Sequence, residues 1–154
     1  MAGNVLNIKT GEFQLTSSTS CVLQGTAGDT GFWINSIALE GFQPAVGIDP
    51  VIHVTIGIIN SGNTPYTVGT TVTPTKVNRF NPATIHSAWL VNPATQNTAP
   101  TDYNIDIAFQ PQISREKQFP HNDRGIFIYS GDTFVILASA TVNANGSFCI
   151  QVDE

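Results

Sequence analysis

The strictest constraint on how this chain can fold is a period of two. From Val51 to Asn60, Ile52, Val54, Ile56 and Ile58 alternate with His53, Thr55 and Gly57, and from Tyr103 to Phe109 the residues Tyr103, Ile105, Ile107 and Phe109 fall on one side. Successive side chains of an extended strand point to opposite faces, so both stretches read as strands with one face turned to a core. Helices have no comparable footing, because no long apolar stripe recurs at helical spacing and there is no heptad or fixed-interval repeat.

Two apolar runs, Gly125-Ile126-Phe127-Ile128-Tyr129 and Thr133-Phe134-Val135-Ile136-Leu137-Ala138, flank the turn residues Ser130-Gly131-Asp132. They predict a hairpin over 124–141 with largely buried strands. Short strands are expected at 12–16 and 20–24, and a longer one at 32–39. A Thr-rich strand over 66–72 suits a sheet edge. Residues 83–91 read as a strand with Ile85, Trp89 and Val91 inward, a short helical turn near 81–88 being the alternative. Residues 1–11 read as an extended arm or edge strand. The stretch from Glu40 to Pro50, with two prolines and two glycines, reads as a loop, as does the polar stretch 92–101. A tight turn at Asn143-Ala144-Asn145-Gly146 then leads into a last strand, Ser147 to Val152.

Eight to ten strands in 154 residues predict an all-β, antiparallel two-sheet β-sandwich of jelly-roll or Greek-key topology, with an arm at 1–11 and a single domain over 12–154. Immunoglobulin topology fits less well, since Trp33 follows Cys21 but the only other cysteine is Cys149. Charged residues make up 11% of the chain, against roughly 25% in ordinary soluble domains. Thr, Asn, Ser and Gly supply the polar surface instead. A surface so poor in charge resists self-association weakly, which points to a homo-oligomer.

Six basic residues and a net charge of −5 speak against nucleic acid or an anionic membrane as partner. The opening residues, Met1 to Asn7, lack the basic and apolar regions of a signal peptide, and no apolar run is long enough for a membrane span, so a soluble protein is expected.

No catalytic motif stands out. Cys21 and Cys149 cannot form a paired-Cys metal site, and two free thiols are favoured over a disulfide joining the terminal strands. His53, His86 and His121 lack ligand spacing. Asp102, Asn104 and Asp106 alternate on one strand and would offer oxygens to a cation, or simply form its wet face. Asp106 has no carboxylate partner placed for hydrolysis, only loop-borne Asp49 or Glu116, and there is no Gly-x-Ser-x-Gly elbow or phosphate loop. The expectation is therefore no enzyme and no cofactor.

Two binding readings remain. Arg115, Lys117, His121 and Arg124 lie in the one concentration of charge and are candidate interface residues, against the plainer reading of a solvated loop. Trp33, Trp89 and Tyr103 would suit stacking on a sugar, although apolar surroundings favour core packing for both tryptophans. Asn145-Gly146-Ser147 matches a glycosylation sequon, which a tight turn explains as well.

The stretch Arg124 to Ile136, the low-charge Thr/Asn/Gly surface and the single-domain size resemble small β-sandwich proteins of bacteriophage particles, of the head-decoration (cement) and fibre or spike-tip types. The resemblance implies a trimeric jelly-roll protein of the virion, assembled in the host cytoplasm, that clamps a major capsid or other virion protein or binds a host surface. No site residue follows from it.

Overall fold

In the computed structural model, residues 3–44, 49–63, 65, 68–95, 100, 102–111, 115–121 and 125–154 are described. Among them are thirteen strands: β1 (Val5–Lys9), β2 (Phe13–Leu15), β3 (Ser20–Thr26), β4 (Phe32–Pro44), β5 (Ile52–Ile59), β6 (Val68–Val72), β7 (Thr75–Lys76), β8 (Ala88–Thr95), β9 (Asp102–Phe109), β10 (Glu116–Gln118), β11 (Ile126–Ile128), β12 (Thr133–Ala140) and β13 (Ala144–Asp153). Nine of these have five residues or more, and β2, β7, β10 and β11 are fragments of two or three.

The strands form two antiparallel sheets packed as a sandwich. The first runs β10-β4-β13-β1-β7, with β11 beside β4 and β2 beside β13; the second runs β6-β8-β3-β12-β5-β9. The pairings are nested: β1 and β2 meet β13, β3 meets β12, β4 meets β10 and β11, and β5 meets β9. A chain doubled back on itself and then rolled into two sheets in this way is a jelly roll. Among the described residues no two consecutive strands are hydrogen-bonded to each other.

The core is made by alternation on both inner faces. Phe32, Ile34, Ile37 and Leu39 of β4, Phe148, Ile150 and Val152 of β13, and Leu6 and Ile8 of β1 face Phe134, Ile136 and Ala138 of β12 and Ile52, Val54 and Ile56 of β5. The second sheet also has apolar residues on its outer face, where Cys21, Ile59 and Val135 are buried against Leu137. Pro100 lies over Gly57 and Val135 there, so a Cβ added to Gly57 would fall 2.7 Å from the Pro100 ring. The continuous apolar run of β12 follows from this, since both of its faces are covered.

Several sequence expectations change. The hairpin over 124–141 does not form, because β11 pairs β4 in one sheet and β12 pairs β3 and β5 in the other. The residues between them are a corner joining the sheets. Its bonds go partly to Ala27, just after β3, with the Gly131 N–H donating to the Ala27 carbonyl (3.4 Å) and the Ala27 N–H to the Asp132 carbonyl (3.0 Å). Within the stretch 1–11, read as an arm or edge strand, Val5–Lys9 forms β1, paired on both sides, with the alternating Leu6 and Ile8 fully buried.

The loop at 40–50 starts later than expected. β4 continues to Pro44 through a bulge opposite Gly146, with Gly41 at φ 64 supplying the left-handed backbone that the bulge needs. Asn143 to Gly146 is not a turn, since β13 begins at Ala144 and Asn145-Gly146 lies at that bulge. β8 starts at Ala88 and runs on to Thr95, so 83–87 is not strand and 92–95 is not loop. Of the strand expected at 66–72, the described part, β6 (Val68–Val72), lies at the edge of the second sheet.

Candidate functional site

The two tryptophans part company. Trp89 is in the core, 1% exposed, with its indole N–H donating to Ser87 Oγ at 2.9 Å and its ring against Phe32 and Phe134. Its ring lies directly on the Gly25 backbone. No face of it is left to stack on a sugar. Trp33, flanked by inward Phe32 and Ile34, points outward from the first sheet and is half-buried.

Around Trp33 lies an aromatic group that the sequence separates widely. Phe127 of β11 sits opposite it across the strand pair, with ring centroids 5.0 Å apart, and Tyr129 meets Phe127 edge-on at 5.1 Å while remaining 67% exposed. His121 stacks on Trp33 at 4.8 Å with 20° between the planes. The His121 Nε2 is hydrogen-bonded to Asn35 Oδ1. Asn35 is the extra residue of a β4 bulge against β13, which turns its side chain toward the β10 edge. Asp153 of β13 is opposite Trp33 on the other side, so rings and a carboxylate share one row of the outer face.

The charged segment divides. Arg115 is exposed and tied to its surroundings, its Nε donating to the Pro111 carbonyl while its own carbonyl accepts from the Leu39 N–H at 2.7 Å. Lys117 is exposed on edge strand β10, opposite Ile37. Such a lysine on an edge strand discourages further strand pairing. Of the three candidate interface residues that are described, only His121 joins the aromatic group; Arg124 lies outside the described residues. The Tyr103 side chain also lies outside them.

Cys21 and Cys149 are free thiols on the outer faces of opposite sheets. Sheets pack about 10 Å apart, too far for a disulfide. Burial pushes the Cys21 thiol up to about 12, with its S–H directed at the Leu23 carbonyl. Burial also raises Cys149, helped by the nearby Glu40 carboxylate. Of the Asp102, Asn104, Asp106 row, the side chains of Asp102 and Asn104 lie outside the described residues; Asp106 is opposite Thr55, whose hydroxyl donates to it at 2.8 Å. Among the described residues no group of three or more His, Cys, Asp or Glu is placed to hold a metal ion, and no helix is long and apolar enough to cross a membrane.

One surface feature went unread in the sequence. After β7 the chain makes a turn over Asn78-Arg79-Phe80-Asn81, closed by the Asn81 N–H to the Asn78 carbonyl at 3.0 Å, with Asn78 Oδ1 accepting from the Phe80 N–H. The Lys76 ammonium donates to the carbonyls of Asn81 and Ala83, and Asn4 Nδ2 to those of Ala83 and Thr84. The carboxylate of Glu154 accepts from the N–H groups of His86 and Ser87. On this braced turn Phe80 is 79% exposed and Val77 55%, with the Arg79 guanidinium 4.7 Å over the Phe80 ring. The Asn-x-x-Asn-Pro spacing was the readable signal, since it marks a turn and therefore an aromatic held out of the core. Comparison with protein-family models, with curated proteins and with solved structures returned no match.

Proposed function

We propose that this chain is a non-enzymatic structural protein that acts through its surfaces, a virion component in the manner of a capsid-decoration protein. It forms a homo-oligomer, a trimer by the resemblance, and contacts a major capsid or other virion protein. The observation carrying the reading is that its exposed aromatics stand on rigid supports, Tyr129 beside the Trp33 group on one edge of the first sheet and Phe80 on the braced turn at the other. Interfaces draw their binding energy from such anchors, aromatic and arginine above all, and ordered anchors lose little entropy on docking. The 11% charge content leaves the surrounding surface cheap to dehydrate. Size-exclusion chromatography with light scattering across a concentration series tests this. A defined oligomer is expected, and a monomer at high concentration would count against it.

A second reading is a carbohydrate-binding or receptor-binding module. It now rests on Trp33, whose half-buried ring shares the outer face with Tyr129 and the amide of Asn35. Glycan-array binding by a monomer, lost in Trp33→Ala with folding intact, would replace the first reading.

A further inference from the structure

We propose that the outer face of the first sheet binds an extended neutral glycan, laid across the strands along a row formed by Gln118, Ser36, Gln151, Asn7 and Thr75. This rests on the carbohydrate-binding reading above and names its site and the class of sugar it takes.

The row follows from the strand register. Gln118 of β10 is opposite Ser36 of β4, Ser36 is opposite Gln151 of β13, Gln151 is opposite Asn7 of β1, and Asn7 is opposite Thr75 of β7. Their chain neighbours Ile37, Ile150, Val152, Leu6 and Ile8 are fully buried in the core, so the row points outward. It crosses the five strands β10-β4-β13-β1-β7, four strand spacings of about 4.8 Å, and so runs about 19 Å. Every member is uncharged and carries a hydroxyl or a carboxamide. Asn7, Ser36 and Gln151 are half-buried, and Gln118 and Thr75 at the two ends are exposed.

The hydrogen-bonding character of the row suits a sugar. A hydroxyl both donates and accepts, and amides set side by side offer both. The Gln151 Nε2 donates to Asn7 Oδ1 at 3.2 Å, which orients the two central amides and turns the Asn7 Nδ2 hydrogens and the Gln151 Oε1 to a ligand. They are fixed before binding, on strands of a rigid sheet, and lose little freedom when the ligand arrives. The adjoining row of the same face holds Phe127 and Trp33, with the 67% exposed Tyr129 next to Phe127, and these rings supply apolar contact for the C–H faces of the same ligand.

Charge selects the class of ligand. Carboxylates flank the row on both sides, Asp153 opposite Trp33 and Glu116 opposite Ala38, and the Lys9 ammonium of this face is paired with Glu40 at 3.7 Å. An acidic polysaccharide or an acidic peptide meets repulsion here, whereas the hydroxyls of a neutral sugar donate to these same carboxylates. A protein partner fits poorly for a different reason. The centre of a protein interface is apolar, and a protein laid along a row with no apolar member would strip water from its amides without restoring their hydrogen bonds.

The test is an array of neutral glycans, followed by titration calorimetry with the tetrasaccharide bound best and with its monosaccharide unit, and with heparin as the acidic probe. It is run on the unmodified chain and on Ser36→Ala, Gln151→Ala and Trp33→Ala, with thermal midpoints to check that each variant folds. Ser36→Ala removes only a hydroxyl from a half-buried position, so it reports on the row even where Gln151→Ala disturbs the fold. The expected result is a neutral tetrasaccharide bound at least about tenfold more tightly than its monosaccharide, no binding of heparin, and a loss of about fivefold in Ser36→Ala and in Gln151→Ala, as for one hydrogen bond each. Binding lost in Trp33→Ala but unchanged in both row variants would overturn the row and leave the carbohydrate reading standing. Equal affinity for monosaccharide and tetrasaccharide would overturn the extended ligand, and preference for heparin would overturn the neutral one. An array without any bound glycan would overturn both the row and the reading beneath it.

Discussion

The surroundings of Trp89 and of Trp33 show two uses of the same side chain in one sandwich. Trp89 fills the space between the sheets, with its ring on Gly25 and its one polar atom bonded to Ser87. Trp33, one residue from Phe32, looks the other way and stands among His121, Phe127 and Asn35. Around Trp89 every neighbour is set by packing, so the region carries stability. Around Trp33 the neighbours come from an edge assembled from short strands, and the region carries surface. The difference teaches where to seek function in this jelly roll: on edges whose aromatics the core did not need.

The largest expected effect comes from emptying the first region. Trp89→Ala should cost about 3–5 kcal/mol in urea unfolding, the range for a buried aromatic replaced by a small side chain. A cost below about 1 kcal/mol would break the comparison, because Trp89 would then not be core. Next is Gly25→Ala, which adds one methyl group without removing anything. Its Cβ would sit 2.3 Å from Trp89 Cζ3 with two further ring carbons within 2.6 Å, and the ring is hemmed in by Phe32 and Phe134. Overpacking of about 3 kcal/mol is expected, and Gly25→Ala combined with Trp89→Leu should recover part of it.

How much of this was legible follows from which signals are local. Alternation located β5, β9 and the burial of Ile52, Val54 and Ile56, because the facing of a strand is written in its own residues. The partner of a strand is not. The run 125–138 carries the apolar and turn residues of a hairpin, yet its halves join different sheets, since Ser130-Gly131-Asp132 encodes a reversal and not what pairs across it. Trp33 looked like core because Phe32-Trp33-Ile34 is continuously apolar, and only the inward burial of both neighbours shows it to be outside. His121 and Trp33 were singled out for separate reasons, and nothing short of the β4–β10 pairing brings them together.

The comparison sharpens at Cys21, which lies on the same strand as Gly25 but on the outer face of the second sheet, under its own apolar cover. An ordinary thiol titrates near 9.0, whereas Cys21 is pushed up to about 12 by burial. The folded state thus holds this proton more tightly. Its contribution is complete below about pH 9 and is lost as pH rises toward 12, on the order of 1 kcal/mol being gone by pH 10. Cys149, raised in the same direction, adds to the alkaline loss. Urea unfolding at pH 8 and pH 10 should show the decline in the unmodified protein and a smaller one in Cys21→Ala. Equal declines in the two would mean that the second sheet is as open on its outer face as the first.

The smallest expected effect on folding belongs to Trp33→Ala, and it decides what the outer region is for. The ring is half-buried, and its contacts are with His121 and Phe127, surface neighbours whose aromatic pairings are worth about 0.5–1.5 kcal/mol each. Part of that returns as His121 and Phe127 close over the gap, leaving a cost of about 1 kcal/mol. The measurement is made over a series of protein concentrations, because assembly through Trp33 would stabilise the fold by mass action and inflate the apparent cost as concentration rises. At the lowest concentration, a cost near that of Trp89→Ala would make Trp33 a structural residue that happens to lie outside. A cost of about 1 kcal/mol there, alongside a larger one at high concentration, is what a tryptophan kept for contact with another molecule should give.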